Sequence, residues 1–173
     1  MTSSRPVPPL APDELVSTGQ EHQVLEAFLD LYRDILRRKL GGLSDEQIRQ
    51  RHVFSQTTLG GLIKHLAAVE QEWFQGVLAG RSEDELGTPA PDDGWTLSSD
   101  DTAESLLAGY ERACAASRQV AAGFSLEDRV PHPRLGQVSL RWIYVHLIEE
   151  SARHAGHADI LREQTDGATG FDG

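Results

Sequence analysis

Apolar residues recur at three- and four-residue intervals over four stretches of this 173-residue chain, the period of a helix that buries one face. In the first stretch, Leu25, Phe28, Leu29, Tyr32, Ile35 and Leu36 keep that spacing, with Glu26, Asp30, Arg33, Asp34 and Arg37 set against them. This predicts a helix from about Glu14 to Leu40, stopped by Gly41-Gly42. Ser44 and Gln47 have capping-box spacing and predict a short helix that ends near His52. Leu59, Leu62, Ile63, Leu66, Val69, Trp73, Phe74 and Val77 mark the buried side of a second long helix, Thr57 to Ala79, with Gly80 as its stop. Gly60 and Gly61 fall in its first turn, where close approach of a neighbouring helix is expected. A third helix, Thr102 to Ala122, carries the sparser markers Leu106, Leu107, Tyr110, Cys114 and Val120 behind a cap at Ser99-Asp100-Asp101. Ser139 caps the fourth, Leu140 to about Gln164.

Two connections are long. Arg81 to Leu97 is acidic and contains Pro89, Pro91 and Gly94, more than a tight turn between antiparallel helices needs. Arg129 to Gly136 reads as irregular, and only a short extended segment near Val138 suggests a strand. The expected fold is all-α, a four-helix bundle with long crossover connections. Residues 13–165 are expected to form one domain, behind a flexible proline-rich lead-in over 1–12 and ahead of a flexible polar, glycine-rich tail over 166–173.

Composition narrows the function classes. Net charge is −11, and Lys39 and Lys64 are the only lysines, whereas binding a phosphate backbone needs clustered Lys and Arg. No stretch approaches the ~20 apolar residues of a membrane span, and the N-terminus has no apolar signal region. The single cysteine, Cys114, permits no internal disulfide and fits a reducing cytoplasm. Its helical setting offers no base to activate a thiol, so it reads as a small buried residue. A cytoplasmic protein with no nucleic-acid or membrane partner is expected, and a homodimer is compatible with bundles of this type.

The fourth helix holds the most informative chemistry. His146, Glu150, His154 and His157 fall along one side of it, because positions three and four apart are neighbours. Its inward stripe runs Leu140, Ile143, Leu147, Glu150 or Ser151, His154, Ala158 and Leu161. A carboxylate on a core face needs a compensating cation, either a metal or a side chain such as Arg141 or Arg153. His154 lies one turn from Glu150, so both can converge on one ion. His65 is the histidine in the middle of another long helix. Two imidazoles and one carboxylate suit zinc, with nickel or iron as alternatives, and leave positions open for water or substrate. A histidine on a bundle face is, however, more often simply packed or hydrogen-bonded. His146 and His157 lie off the stripe's centre and are read as neighbours or supporting donors. His22, His52 and His132 are read as structural or exposed. Because coordination needs neutral imidazole, metal affinity is expected to fall as the pH drops toward ~6.

Two segments carry a resemblance. Thr58-Leu-Gly-Gly-Leu-Ile-Lys-His65-Leu-Ala-Ala-Val-Glu-Gln-Glu-Trp73-Phe and Leu140-Arg-Trp-Ile-Tyr-Val-His146-Leu-Ile-Glu-Glu150-Ser-Ala-Arg-His154-Ala-Gly-His157-Ala-Asp-Ile-Leu-Arg-Glu resemble the DinB-like superfamily. The branch is one that is also similar to the N-terminal domain of mycothiol-dependent maleylpyruvate isomerase. The resemblance covers about residues 15–165. It implies a four-helix bundle holding one divalent metal between its second and fourth helices, with His65, Glu150 and His154 as the matching ligands. Glu150 stands where many members have a histidine, a departure shared with the isomerase branch. The isomerase's additional C-terminal domain has no counterpart here, which argues against that particular reaction. The resemblance further implies a metal-dependent transferase or isomerase that activates a low-molecular-weight thiol such as mycothiol toward a small electrophile. The alternative is a non-catalytic metal-binding stress or regulatory module, which a fourth protein ligand such as His157 would favour. A helical interaction domain with incidental histidines is the third reading.

Overall fold

The computed structural model describes residues 9–87 and 95–170. Within them are six α-helices, one stretch of π-helix and a two-stranded hairpin. The first eight residues of the expected lead-in, the last three of the expected tail and seven residues of the first long connection lie outside the described residues.

The helix expected from Glu14 divides. α1 (Pro12–Leu15) is a single turn, and α2 begins at Glu21 and runs to Leu40. Gly19 lies in the turn between them, where its amide meets the Val16 carbonyl. The capping box at Ser44 and Gln47 is present, with the Gln47 amide on Ser44 Oγ at 3.2 Å and the Ser44 amide on Gln47 Oε1 at 2.9 Å. It opens only a 3-10 turn, Gln47–Arg49, rather than a helix to His52.

α3 (Leu59–Glu70) is capped by Thr58, whose hydroxyl accepts the Gly61 amide. Beyond Glu70 the backbone widens to π geometry over Gln71–Leu78. The wider turn changes which residue faces inward: Leu78 is buried, and Val77, its expected counterpart, is only partly so. α4 (Glu83–Leu86) is one turn within the first long connection, closed by a capping box of Ser82 and Glu85. α5 (Ala103–Ala121) is capped by Thr102 rather than by the earlier Ser99-Asp100-Asp101. α6 (Leu140–Asp166) starts at its Ser139 cap, as expected, and ends at Gly167, which takes the left-handed conformation (φ 80°) that glycine adopts without steric cost.

The segment read as irregular is instead an antiparallel hairpin. β1 (Arg129–His132) pairs with β2 (Gly136–Ser139) in the register Val130 to Val138 and His132 to Gly136. Its two prolines, Pro131 and Pro133, hide the strand signal, yet an isolated ribbon tolerates proline because each strand has one free edge. The hairpin leads straight into α6.

Four long helical segments carry the packing. α2 lies along α6, α3 lies along α5, and α3 also meets α6. One cluster, including Leu36, Leu62, Leu66, Tyr110 and Leu161, fills the space among them. A second, with Leu29, Phe74, Leu126, Ile143 and Leu147, continues along α6 toward the hairpin. Each buried leucine is worth about 1.5–3 kcal/mol relative to exposure. No helix among the described residues is long and apolar enough to cross a membrane.

Candidate metal centre

α3 and α6 supply the polar groups that meet between them. On α6 the helical repeat settles which of two neighbours faces inward: Ser151 is fully buried and Glu150 stands at the edge, its side chain 22 % exposed. His154, one turn later, is buried. Its Nε2 lies 3.1 Å from Glu150 Oε2. Across the interface His65 brings its ring to 5.2 Å from that of His154, nearly perpendicular to it.

Ligand atoms of His65, Glu150 and His154 all lie within 4.8 Å of one another, and the group could hold a metal ion. Two imidazole nitrogens and one carboxylate oxygen form a borderline donor set that suits a first-row divalent ion. Among the described residues no Lys or Arg pairs with Glu150. Of the two candidates for that role, Arg141 is taken by Glu21 and Glu127, and Arg153, whose charge acts on His154, forms no ion pair among the described residues. The imidazoles do not supply the positive charge. Burial, reinforced by the neighbouring His154, pushes His65 down to about 4 against the opposing pull of Glu150. Burial also lowers His154, again against Glu150. Both rings are thus held neutral, the form that coordinates.

His157 stands behind His154. The two Nδ1 atoms are 3.3 Å apart, on the side of the His154 ring away from the nitrogen that faces Glu150. His157 therefore backs His154 and lies outside the group whose ligand-type atoms converge. His146 is further along α6 and outside the cluster, stacked on Trp142 at 5.0 Å and edge-on to Trp73 at 4.7 Å. The remaining histidines have structural partners: His22 with the Tyr144 hydroxyl, His52 with Thr165, and His132 with the amides of Arg134 and Leu135. Cys114 is buried as expected, and burial, reinforced by the Glu70 charge, pushes its thiol up to about 12.

Sequence reasoning missed Trp95. Its indole stacks on His65 at 4.1 Å, 17° from parallel, and meets His154 edge-on at 5.5 Å. Gly61 makes this possible, because a Cβ there would come within 2.6 Å of the Trp95 carbonyl oxygen. The glycine pair is expected to admit a neighbouring helix; Gly60 does face Leu106 of α5, but the closest approaches are by the end of the connection, Leu97 against Gly60 and Trp95 against Gly61. The available signal was a glycine pair one turn before a candidate ligand, with tryptophan in the connection that must return past it.

Residues 24–167 match the mycothiol S-transferase family. The chain belongs to that family. Neither a curated protein nor a solved structure matches it. The match takes in α3, the hairpin and all three residues of the cluster, and the family's description names mycothiol as the thiol.

Proposed function

We propose that this family member is a metal-dependent S-transferase that activates mycothiol, or a closely related low-molecular-weight thiol, toward a small electrophile. In this reading the helices form a DinB-like four-helix bundle, and the chain works in a reducing compartment such as the cytoplasm. His65, Glu150 and His154 hold one divalent cation, zinc in the first instance. The observation that carries this is the meeting of three ligand-type side chains from α3 and α6, with a carboxylate that no Lys or Arg of the described chain neutralises.

When bound, the cation supplies Lewis acidity that lowers the pKa of a thiol and makes thiolate available at neutral pH. The chain's own residues do the rest. For His154 to coordinate through Nε2, its proton must sit on Nδ1, where it is donated to His157 Nδ1; this hydrogen bond fixes the tautomer. Trp95 covers one face of His65 and keeps water from that side. Cys114 is excluded as nucleophile by its burial and raised pKa, so the attacking sulfur belongs to the bound thiol.

The test is metal analysis of the purified protein followed by turnover with mycothiol and a panel of electrophiles. About one equivalent of zinc, nickel or iron, with thiol consumed only in the loaded protein, is the expected result. Metal present but no turnover across the panel would favour the non-catalytic module. No metal, even after adding these ions, would overturn the reading.

A further inference from the structure

Trp95 has a second environment. A cleft of about 260 Å³ is lined by Gln56, Thr57, Trp95 and Thr96. The same indole that stacks on His65 is therefore a wall of this cleft, so the cleft and the candidate metal centre share one side chain.

The lining is unusual for so acidic a chain. Among the described residues it offers two hydroxyls, one amide and an aromatic ring, and no charged side chain. The two nearest cations are already engaged. Lys64 Nζ donates to Asp101 Oδ2 and to the Thr96 carbonyl, each at 2.9 Å. The Arg51 guanidinium donates to the carbonyls of Phe54 and Ser55 and so braces the turn that carries Gln56 and Thr57. Thr57 Oγ1 is held by Ser55 Oγ at 2.8 Å. Among the described residues the Gln56 amide and the Thr96 hydroxyl have no partner and are exposed to solvent. An anion would find no free cation here, and a purely apolar group would strand these polar atoms. Neutral hydroxyl-rich molecules meet both needs, because their C–H faces lie on an aromatic ring while their hydroxyls pair with amides and hydroxyls.

We propose that this cleft binds the neutral, hydroxyl-rich part of the thiol whose sulfur the metal centre takes, with Trp95 as the platform and Gln56, Thr57 and Thr96 as hydrogen-bonding partners. The proposal rests on the thiol-activating reading for the sulfur but not for the cleft itself. Trp95 borders both sites, so a ligand long enough to pass the edge of the indole would reach from one to the other. The cleft then discriminates between thiols that share a sulfur-bearing group and differ in the headgroup.

The experiment uses the metal-loaded full chain with three probes: mycothiol, N-acetylcysteine, which lacks the hydroxylated headgroup, and S-methylmycothiol, whose blocked sulfur is a poor ligand. Affinity is measured by calorimetry, and the Trp95 indole N–H is followed by NMR, assigned with Trp95→Phe. Mycothiol is expected to bind at least tenfold more tightly than N-acetylcysteine. Gln56→Ala and Thr96→Val, both at exposed side chains without partners, should each reduce that preference about fivefold, the worth of one hydrogen bond, and leave N-acetylcysteine binding unchanged. S-methylmycothiol should still shift the Trp95 resonance. If both thiols bind equally and S-methylmycothiol leaves Trp95 unperturbed, the cleft assignment is overturned while thiol binding at the metal stands. If S-methylmycothiol moves Trp95 and binds as tightly as mycothiol itself, the cleft stands and the thiol-activating reading fails.

Discussion

Two glutamates on facing helices meet opposite fates. Glu70, at the end of α3, is fully buried and gripped by Arg33, with Nε on Oε1 at 2.7 Å and Nη2 on Oε2 at 2.6 Å. Arg33 also reaches Asp30, which takes Arg118 as well, and the Ser117 hydroxyl donates to the Glu70 carbonyl. Glu150, on α6, faces only a neutral imidazole. Glu70 leaves bulk water entirely and Glu150 for the most part, and a carboxylate so placed gains from positive charge nearby. The chain supplies it to Glu70 as a two-pronged, charge-assisted pair. For Glu150 it supplies two neutral imidazoles, and in the proposed reading the charge comes from a bound cation. A polar cluster closed within the protein serves the fold; one left short of a cation marks a place to bind.

The sharpest way to separate the two is to open the closed one. Arg33→Leu strands a buried carboxylate and should cost about 3–5 kcal/mol of stability, read as a shift in urea midpoint. Replacing Glu70 by Leu as well should restore most of the loss, since no charge is then left unpaired. Metal content per folded molecule should not change in either variant. A loss below ~1 kcal/mol in the single variant would mean that water compensates Glu70, and the contrast with Glu150 would collapse.

The reverse experiment removes a ligand. His154→Ala should lower affinity for zinc by more than about 100-fold, beyond what a supporting residue gives, while far-ultraviolet circular dichroism stays at the wild-type level. Stability without metal should fall by about 1–3 kcal/mol, the cost of truncating a buried ring, and less than for Arg33→Leu because no new unpaired charge is created. Full metal content in this variant would remove His154 from the site.

Much of this contrast is legible in the sequence, and unevenly so. Four helical segments follow from three- and four-residue periodicity, and His65, Glu150 and His154 follow from ligand types at helical spacing. Arg33 does not. It occupies a position opposite the apolar stripe of α2, and only the tertiary partner Glu70, 37 residues on, explains its burial. Glu70 itself lies four residues after Leu66 and three before Trp73, on the apolar side of its helix, but spacing does not say what partners it. The π segment after it is equally silent, because period 3.6 is assumed when apolar positions are counted. The hairpin is masked by its prolines. Trp95 lies in a connection, where periodicity has no purchase and only tertiary return brings it to His65. Local signals thus specify elements and ligand types, whereas long-range pairing decides which polar residue is structural.

His157 tests the middle ground, a residue that acts on the cluster through another. Its only polar contact in the site is with His154 Nδ1. His157→Ala should weaken metal binding about 10–100-fold, the range for groups that orient a ligand. It should leave the urea midpoint of the metal-free protein within about 0.5 kcal/mol, as for an exposed residue. His157→Gln, whose amide can still accept the His154 proton, should recover part of the affinity. A variant that binds zinc as tightly as wild type would show that His154 keeps its tautomer unaided.

The smallest effect is the pH response of the metal-free protein, and its sign distinguishes the open cluster from an ordinary surface. His65 titrates near 4 in the folded chain, against a reference value of 6.5. Between those limits the unfolded chain binds the proton and the folded one does not, so stability rises with pH. The contribution is fully present above pH 6.5 and is lost as the pH falls toward 4. A shift of that size at a fully buried group would be worth about 3 kcal/mol; His65 is only half-buried, and solvent screening reduces this to on the order of 1 kcal/mol. His154 shifts in the same direction and adds to the slope. Metal retention should follow, with protons displacing the ion well below the pH ~6 expected of unperturbed imidazoles. Equilibrium dialysis at fixed free zinc from pH 7 to 4, alongside melts of wild type and His65→Gln, reads both effects. A midpoint for metal loss near 6.5, or melts whose pH slope is unchanged in His65→Gln, would show that the cluster is solvated like a surface and that Glu150, like Glu70, is satisfied by other means.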